Sequence, residues 1–322
     1  VGADVYDWRE PWQETGNVVH VIGRDIIQHH TIFWPAMLHA ADYKLPRAIC
    51  AHGFITIAGE GLSTSRNRAI WAQEHLDEGF APDPLRFYLT TTGGLQQDID
   101  FSWVKFADRV NGELVGTLGN FLHRSLLFAH RHWDGTPDAD VSAEVRTRIQ
   151  DAVADMHAAV NAYDIRAIGD VPIELARFGN EYIQRHEPWH LVDDDPEAAG
   201  QVIRDCVQLA KAIAILGQPT MPRTMEELWT QLQEPDELDD QVVEYALEEP
   251  ADRFGEPTEL FAPIADERVE ELSAALAEQM DLDGTAETAT TSAPDEDDRI
   301  DFETFQELDL RVGEILAADP IE

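Results

Sequence analysis

The chain has 322 residues, carries 63 Asp and Glu against 23 Lys and Arg for a formal charge of −40, and is 43% hydrophobic with eight tryptophans. That apolar content excludes a disordered acidic chain, and the lack of any run of about 18 apolar residues excludes a membrane-spanning helix. The opening VGADVYDWRE has neither a basic nor an apolar region and does not read as a secretory leader.

Lys44, Lys105 and Lys211 are the only lysines. Such a surface repels itself in dilute buffer. In molar salt the screening length falls to about 3 Å and the repulsion fades, so a salt-rich cytoplasm is the expected setting. The charge is uneven: residues 231–322 hold −26 of it and the first 230 residues −14. Contact with nucleic acid is therefore expected in the first 230. Cys50 and Cys206 lie too far apart in sequence for a zinc knuckle and read as buried free thiols. The length suggests two domains at about 150 residues each.

In chain order, VVHVIG (18–23) predicts a short buried strand, followed by Arg24-Asp25 and a helical pattern with apolar positions 26, 27, 33, 37 and 38. Residues 47–57 supply one or two more strands. Strand–helix–strand at this spacing is a βαβ unit, with Gly23 to Asp25 at the carboxyl end of its first strand, where open α/β sheets place ligands. HGFITIAGEGLSTSRNRA (52–69) alternates like a hairpin, turns at Gly59 and Gly61, and then runs through three hydroxyls and two arginines toward a helix. Hydroxyls and guanidiniums before a helix suit polyphosphate; a solvated hairpin-to-helix connection is the plainer alternative.

From about residue 105 the pattern is helical. Leu114, Leu118, Phe121, Leu122 and Ser125 share one face. Further helices are expected over 143–163, 173–189 and 198–217, and Thr224 with Glu227 forms a capping box opening a fifth. Asn120 and Arg124 are four apart and stack on one face, away from Leu118 and Leu122. Trp189 follows Pro188, which ends the third helix. An indole beside an amide and a guanidinium is how proteins read unstacked RNA bases; a surface polar pair and a tryptophan closing a bundle end fit the same residues. His29 lies beside His30 and points elsewhere on its helix. His123, His130 and His132 lack the spacing of a one-face metal pair, and no Cys/His cluster supports zinc. Residues 284–298, GTAETATTSAPDEDD, read as a linker, and LDLRVGEIL near the end as a strand that stops abruptly.

These segments in this order resemble the methionyl-tRNA synthetases, class I aminoacyl-tRNA synthetases. HVIGRDIIQHHTIFWPAML (20–38) looks like the family's G-K-D-I…H…WPAML stretch, HGFITIAGEGLSTS takes the place of its HG-strand-KMSKS loop, and DPLRFYL and DIDFSW follow at the expected distances. The resemblance implies an α/β plus α architecture. A partial Rossmann-type domain covers 1–54, the signature loop and stem-contact segment 55–104, and an anticodon-binding helical bundle 105–232. An acidic extension and linker covers 233–298, and the start of an OB-fold 299–322.

It further implies ATP-dependent activation of methionine, with Mg2+ accompanying the nucleotide, and transfer to initiator and elongator tRNA(Met), without DNA or membrane partners. A homodimer through the OB domain is known of some relatives. Gly23, Asp25 and Ile55 match adenylate-binding positions, and His30 a position lining the methionine pocket; by itself His30 reads as a core histidine facing Trp34. Asn120, Arg124 and Trp189 match readers of the CAU anticodon.

In the signature loop Ser63 and Ser65 match, but Gly61 and Thr64 stand where the family has lysines. The resemblance thus implies a catalytic loop of Ser63, Thr64, Ser65 and Arg66, with Arg66, and Arg68 second, expected to supply the missing positive charge to the leaving pyrophosphate. The family's HIGH signature and zinc-bearing insertion are expected upstream of Val1, so this piece by itself is expected not to activate methionine. Two alternatives stay open: a non-catalytic tRNA-binding module, and another class I synthetase.

Overall fold

The computed structural model describes residues 7–62, 69–93 and 97–284. Strand β1 (Val19–Gly23) leads through a tight turn at Arg24–Ile26 and a wide turn at His29–Phe33 into α1 (Trp34–Ala40), then β2 (Ala48–His52). β1 and β2 run parallel, Val19 opposite Ala48 and Gly23 opposite His52, which is the expected βαβ unit. The buried strand is a correction. Val21 is 64% exposed, because among the described residues β1 pairs only with β2 and its side chains find no second layer. Ile27, Phe33 and Met37 are exposed as well.

β3 (Ile55–Ile57) and β4 (Glu60–Gly61) form an antiparallel hairpin whose turn residues Ala58 and Gly59 both have positive φ, the twist a two-residue hairpin requires. After α2 (Ala72–Asp77) and α3 (Pro82–Thr92), β5 (Ile99–Phe101) pairs in parallel with β3. Asp100 anchors the hairpin: its Oδ1 accepts from the Gly59 amide at 2.9 Å and the Thr56 hydroxyl at 3.2 Å, and its Oδ2 pairs with Lys105 at 3.1 Å. The Gly59 N–H first, then Lys105, hold this carboxyl below the usual carboxylate range.

The bundle begins with α4 (Trp103–Arg109), capped by Ser102, and continues through a wide-turn stretch, Val110–Gly119, into α5 (Asn120–Trp133). Leu114, Leu118, Phe121, Leu122 and Ser125 are all buried on the predicted face. α6 (Ala143–Ala162), α7 (Ile165–His186) and α9 (Pro196–Gly217) start at Ser142, Asp164 and Asp195, each accepting from the amide three residues on. A short α8 (Pro188–Leu191) sits between the last two. α9 is buried almost all round and forms the bundle's axis.

Two boundaries differ from expectation. α7 begins eight residues before 173 and carries Pro172 within it, since the Asp164 cap starts the helix and Pro172 is buried against the core. In α10 (Pro222–Gln231) Thr224 is not a cap. The helix starts at Pro222, and the Thr224 amide donates instead to Asp83 Oδ2 on α3 at 2.7 Å.

The acidic stretch beyond 233 packs rather than trails. Lys211 Nζ, fully buried, donates to Glu234 Oε2 and to the Glu249 carbonyl, both at 2.9 Å, and lies 4.0 Å from the Tyr245 ring centroid. Asn111 clamps Ile264 with two hydrogen bonds, Nδ2 to its carbonyl and Oδ1 from its amide. α11 (Asp266–Gly284) then packs against α4, and Arg268 pairs with Glu78. The expected linker and OB-fold start lie outside the described residues, apart from Gly284.

Candidate functional site

Gly23 and Asp25 meet at the carboxyl end of β1. A Cβ on Gly23 would stand 2.6 Å from Asp25 Oδ1, so a side chain there would push that carboxylate away from the strand end. The neighbouring Arg24 reaches the other way. Its Nη2 donates to Asp98 Oδ2 at 2.7 Å and its guanidinium carbon lies 4.5 Å from the Phe54 ring centroid, while Asp98 Oδ1 accepts from the Phe54 amide at 2.8 Å. Asp98 thus ties the β1 end to the β2–β3 connection. Ile55 follows His52, the partner of Gly23, by three residues, about 10 Å of extended chain.

His30 sits in an aromatic group. It does not face Trp34: its Nδ1 bonds the Ile26 carbonyl at 3.1 Å, and its ring meets that of His20 edge-on at 5.4 Å. Trp34 instead meets Trp12 at 5.9 Å, and Trp12 meets His20 at 6.1 Å. Burial, then the nearby His30, push the His20 imidazole below its usual pKa. Half-buried aromatic rings of this kind suit a polarisable thioether. Ser63, Thr64, Ser65 and Arg66, with Arg68, lie outside the described residues. Their described flanks are exposed Leu62 and buried Ala69.

The second site lies on the bundle. Gly179 of α7 has no side chain to hold off the Phe121 ring of α5, so the two helices approach closely there. Two residues four apart on α5 then face two residues four apart on α7. Asn120 Nδ2 donates to Asn180 Oδ1 at 3.2 Å, and Arg124 Nη2 donates to Gln184 Oε1 at 3.4 Å. Trp189, on α8 just after the left-handed Glu187 (φ 44°), comes beneath Arg124, whose guanidinium carbon is 4.4 Å from the indole centroid. Asn120, Arg124 and Trp189 are therefore brought together from two helices at the surface. Sequence reasoning missed Asn180 and Gln184, although their own i, i+4 spacing mirrors that of Asn120 and Arg124. It also gave Asp98 and Asp100 no role, although DIDFSW was recognised.

Residues 2–126 match the family model described as tRNA synthetases class I (M), and residues 133–281 match that of the anticodon binding domain of methionyl tRNA ligase. The methionine–tRNA ligases of Haloarcula marismortui and Natronomonas pharaonis are each 52% identical to the chain over all of it, covering 50% and 49% of the relatives. Among solved structures, Mycobacterium tuberculosis methionyl-tRNA synthetase in complex with methionyl-adenylate is similar at a TM-score of 0.66 and 26% identity. That match covers 76% of this chain and 49% of the other. The chain spans about half the length of the curated relatives it matches. The two consecutive matches, with identity that runs through both, mean that the chain belongs to the methionyl-tRNA synthetase family.

Proposed function

We propose that the chain works within a methionine–tRNA ligase of a salt-rich cytoplasm, in which its bundle reads the CAU anticodon of initiator and elongator tRNA(Met). In that reaction the methionine carboxylate attacks the α-phosphate of ATP, supplied as its Mg2+ chelate, and pyrophosphate leaves. A terminal ribose hydroxyl of the tRNA then takes the methionyl group and AMP departs. Asp25 over Gly23 accepts from the ribose hydroxyls, and the Ile55 backbone lies along the adenine. His30, with His20, Trp12 and Trp34, surrounds the thioether. Ser63, Thr64, Ser65 and Arg66 act on the phosphates, with Arg66 carrying the charge that Gly61 and Thr64 lack.

The observation that carries this reading is the meeting of exposed Asn120 with half-buried Arg124 and Trp189 at the bundle surface, an aromatic ring beside polar groups that can bond base edges. The competing reading, a non-catalytic tRNA-binding module, draws on the uncharged Gly61 and Thr64 and uses the same bundle.

The test is binding of a hairpin RNA with a CAU loop. Base–aromatic stacking is worth about 1–3 kcal/mol, so Trp189→Ala should weaken binding by about 5- to 150-fold. A loss below threefold would refute the anticodon site.

A further inference from the structure

The amide of Asn180 is fully committed. Its Nδ2 donates to the Thr117 carbonyl at 2.9 Å and the Ala176 carbonyl at 3.1 Å, so its Oδ1 must point the other way, toward Asn120. A side-chain amide has one donor end and one acceptor end, and its partners decide which end faces which way. Because Asn180 offers an oxygen, Asn120 must turn its own Nδ2 inward, and does so at 3.2 Å. That leaves Asn120 Oδ1 facing solvent, accepting nothing from the described residues.

Resting on the anticodon reading above, we propose that Asn180 is a positioning residue that sets the anticodon preference by locking Asn120 with its carbonyl outward. The outward group is then an acceptor only. It fits an exocyclic amino group, as on cytosine N4 or adenine N6, and repels the O4 of uracil or the O6 of inosine. The orientation is enforced by two main-chain carbonyls on different elements, the Val110–Gly119 stretch and α7, and not by the RNA. The acceptor is therefore in place before any base arrives, and the free protein pays no cost to reorient it on binding.

The experiment measures binding of three hairpin RNAs to the chain at one fixed salt concentration, because affinities at different salt are not comparable. One carries CAU, one replaces the cytosine by uracil, and one replaces the adenine by inosine. A lost base contact costs about 1–3 kcal/mol, so wild type should favour CAU over one of the substituted RNAs by about 10-fold.

In Asn180→Ala the Asn120 amide is free to turn over. Binding of CAU should fall no more than about threefold while that preference shrinks to about twofold or less. Asn180→Asp, which still presents an oxygen to Asn120, should retain it. Circular dichroism checks that both variants fold, and alanine at this half-exposed helical position favours the helix.

A preference unchanged in Asn180→Ala, or absent in wild type, overturns the proposal. Asn120→Ala keeps the two readings apart. If it alters neither affinity nor preference, the anticodon assignment itself falls. If it abolishes the preference while Asn180→Ala does not, only the positioning role falls.

Discussion

Two side-chain pairs in this chain share the same helical spacing and meet different fates. His30 and Trp34 lie one turn apart on a segment of which, among the described residues, only one side is covered: Leu38 is buried, while Phe33 is 51% and Met37 61% exposed. His30 turns to His20 and Trp34 to Trp12. Asn120 and Arg124 lie one turn apart on α5, whose opposite face, Leu118, Phe121 and Leu122, is sealed in the core. Their direction is fixed before any partner is considered, because rotating the helix would expose three large apolar side chains. Spacing alone says which residues are neighbours; a packed opposite face says where they point. The bundle is thus a packed platform, whereas the β1–β2 layer leaves Val19 and Val21 in solvent.

The sharpest way to break this comparison is to open the bundle. The side chains of Lys211 and Glu234 are buried, and removing one partner of such a pair leaves a charge stranded at a cost of about 3–5 kcal/mol. Glu234→Ala should therefore give the largest loss, read by denaturant unfolding of the bundle. A loss under 1 kcal/mol would mean that water reaches Lys211 and the platform is looser than described. Next comes a matched pair of truncations. Leu118→Ala, in the core, should cost about 2–5 kcal/mol, and Met37→Ala, on the exposed helix, no more than about 0.5 kcal/mol. Equal costs would erase the contrast between the two regions.

The same contrast explains what the sequence made legible. The βαβ unit, the apolar face of α5 and the outward direction of Asn120 follow from local periodicity, and all were readable. The solvent exposure of β1 was not, because a run of β-branched residues reads the same whether or not a second layer covers it. Thr224 looked like a cap, yet its amide is bonded by Asp83, 141 positions away. No local pattern carries that information. Asn180 and Gln184 were missed for the same reason: their roles exist only where α7 crosses α5. The acidic extension before residue 284 carried no signal of where it packs, while Asn111 and Lys211, far upstream, hold it down. Of the candidate sites, the local groups at Gly23–Asp25 and Asn120–Arg124 were visible, and the groups that orient them were not.

A pH-dependent effect lies where α2 meets the start of the bundle. His75 of α2 is buried, its ring packed with Phe80 at 4.9 Å and Trp103 at 6.2 Å, with Phe106 edge-on at 5.8 Å. Its Nε2 bonds the Ala81 carbonyl, and its Nδ1 has no partner among the described residues. Burial pushes its pKa below the ordinary histidine value, outweighing the Ala81 contact, which raises it. Above about pH 6.5 both folded and unfolded states are neutral at this position and its contribution is complete. Below that, the unfolded chain takes up a proton that the folded one refuses, so stability falls with pH toward the lowered folded value. The slope for one group cannot exceed about 1.4 kcal/mol per pH unit. His75→Phe keeps the ring stack and removes the titration. Its melting temperature relative to wild type should thus rise as pH drops from 7.5 to 5.5 in molar KCl, where the acidic surface is screened in both proteins. A difference that does not vary with pH would show that protonated His75 is tolerated, and that water reaches this ring cluster as it reaches Val21 on β1.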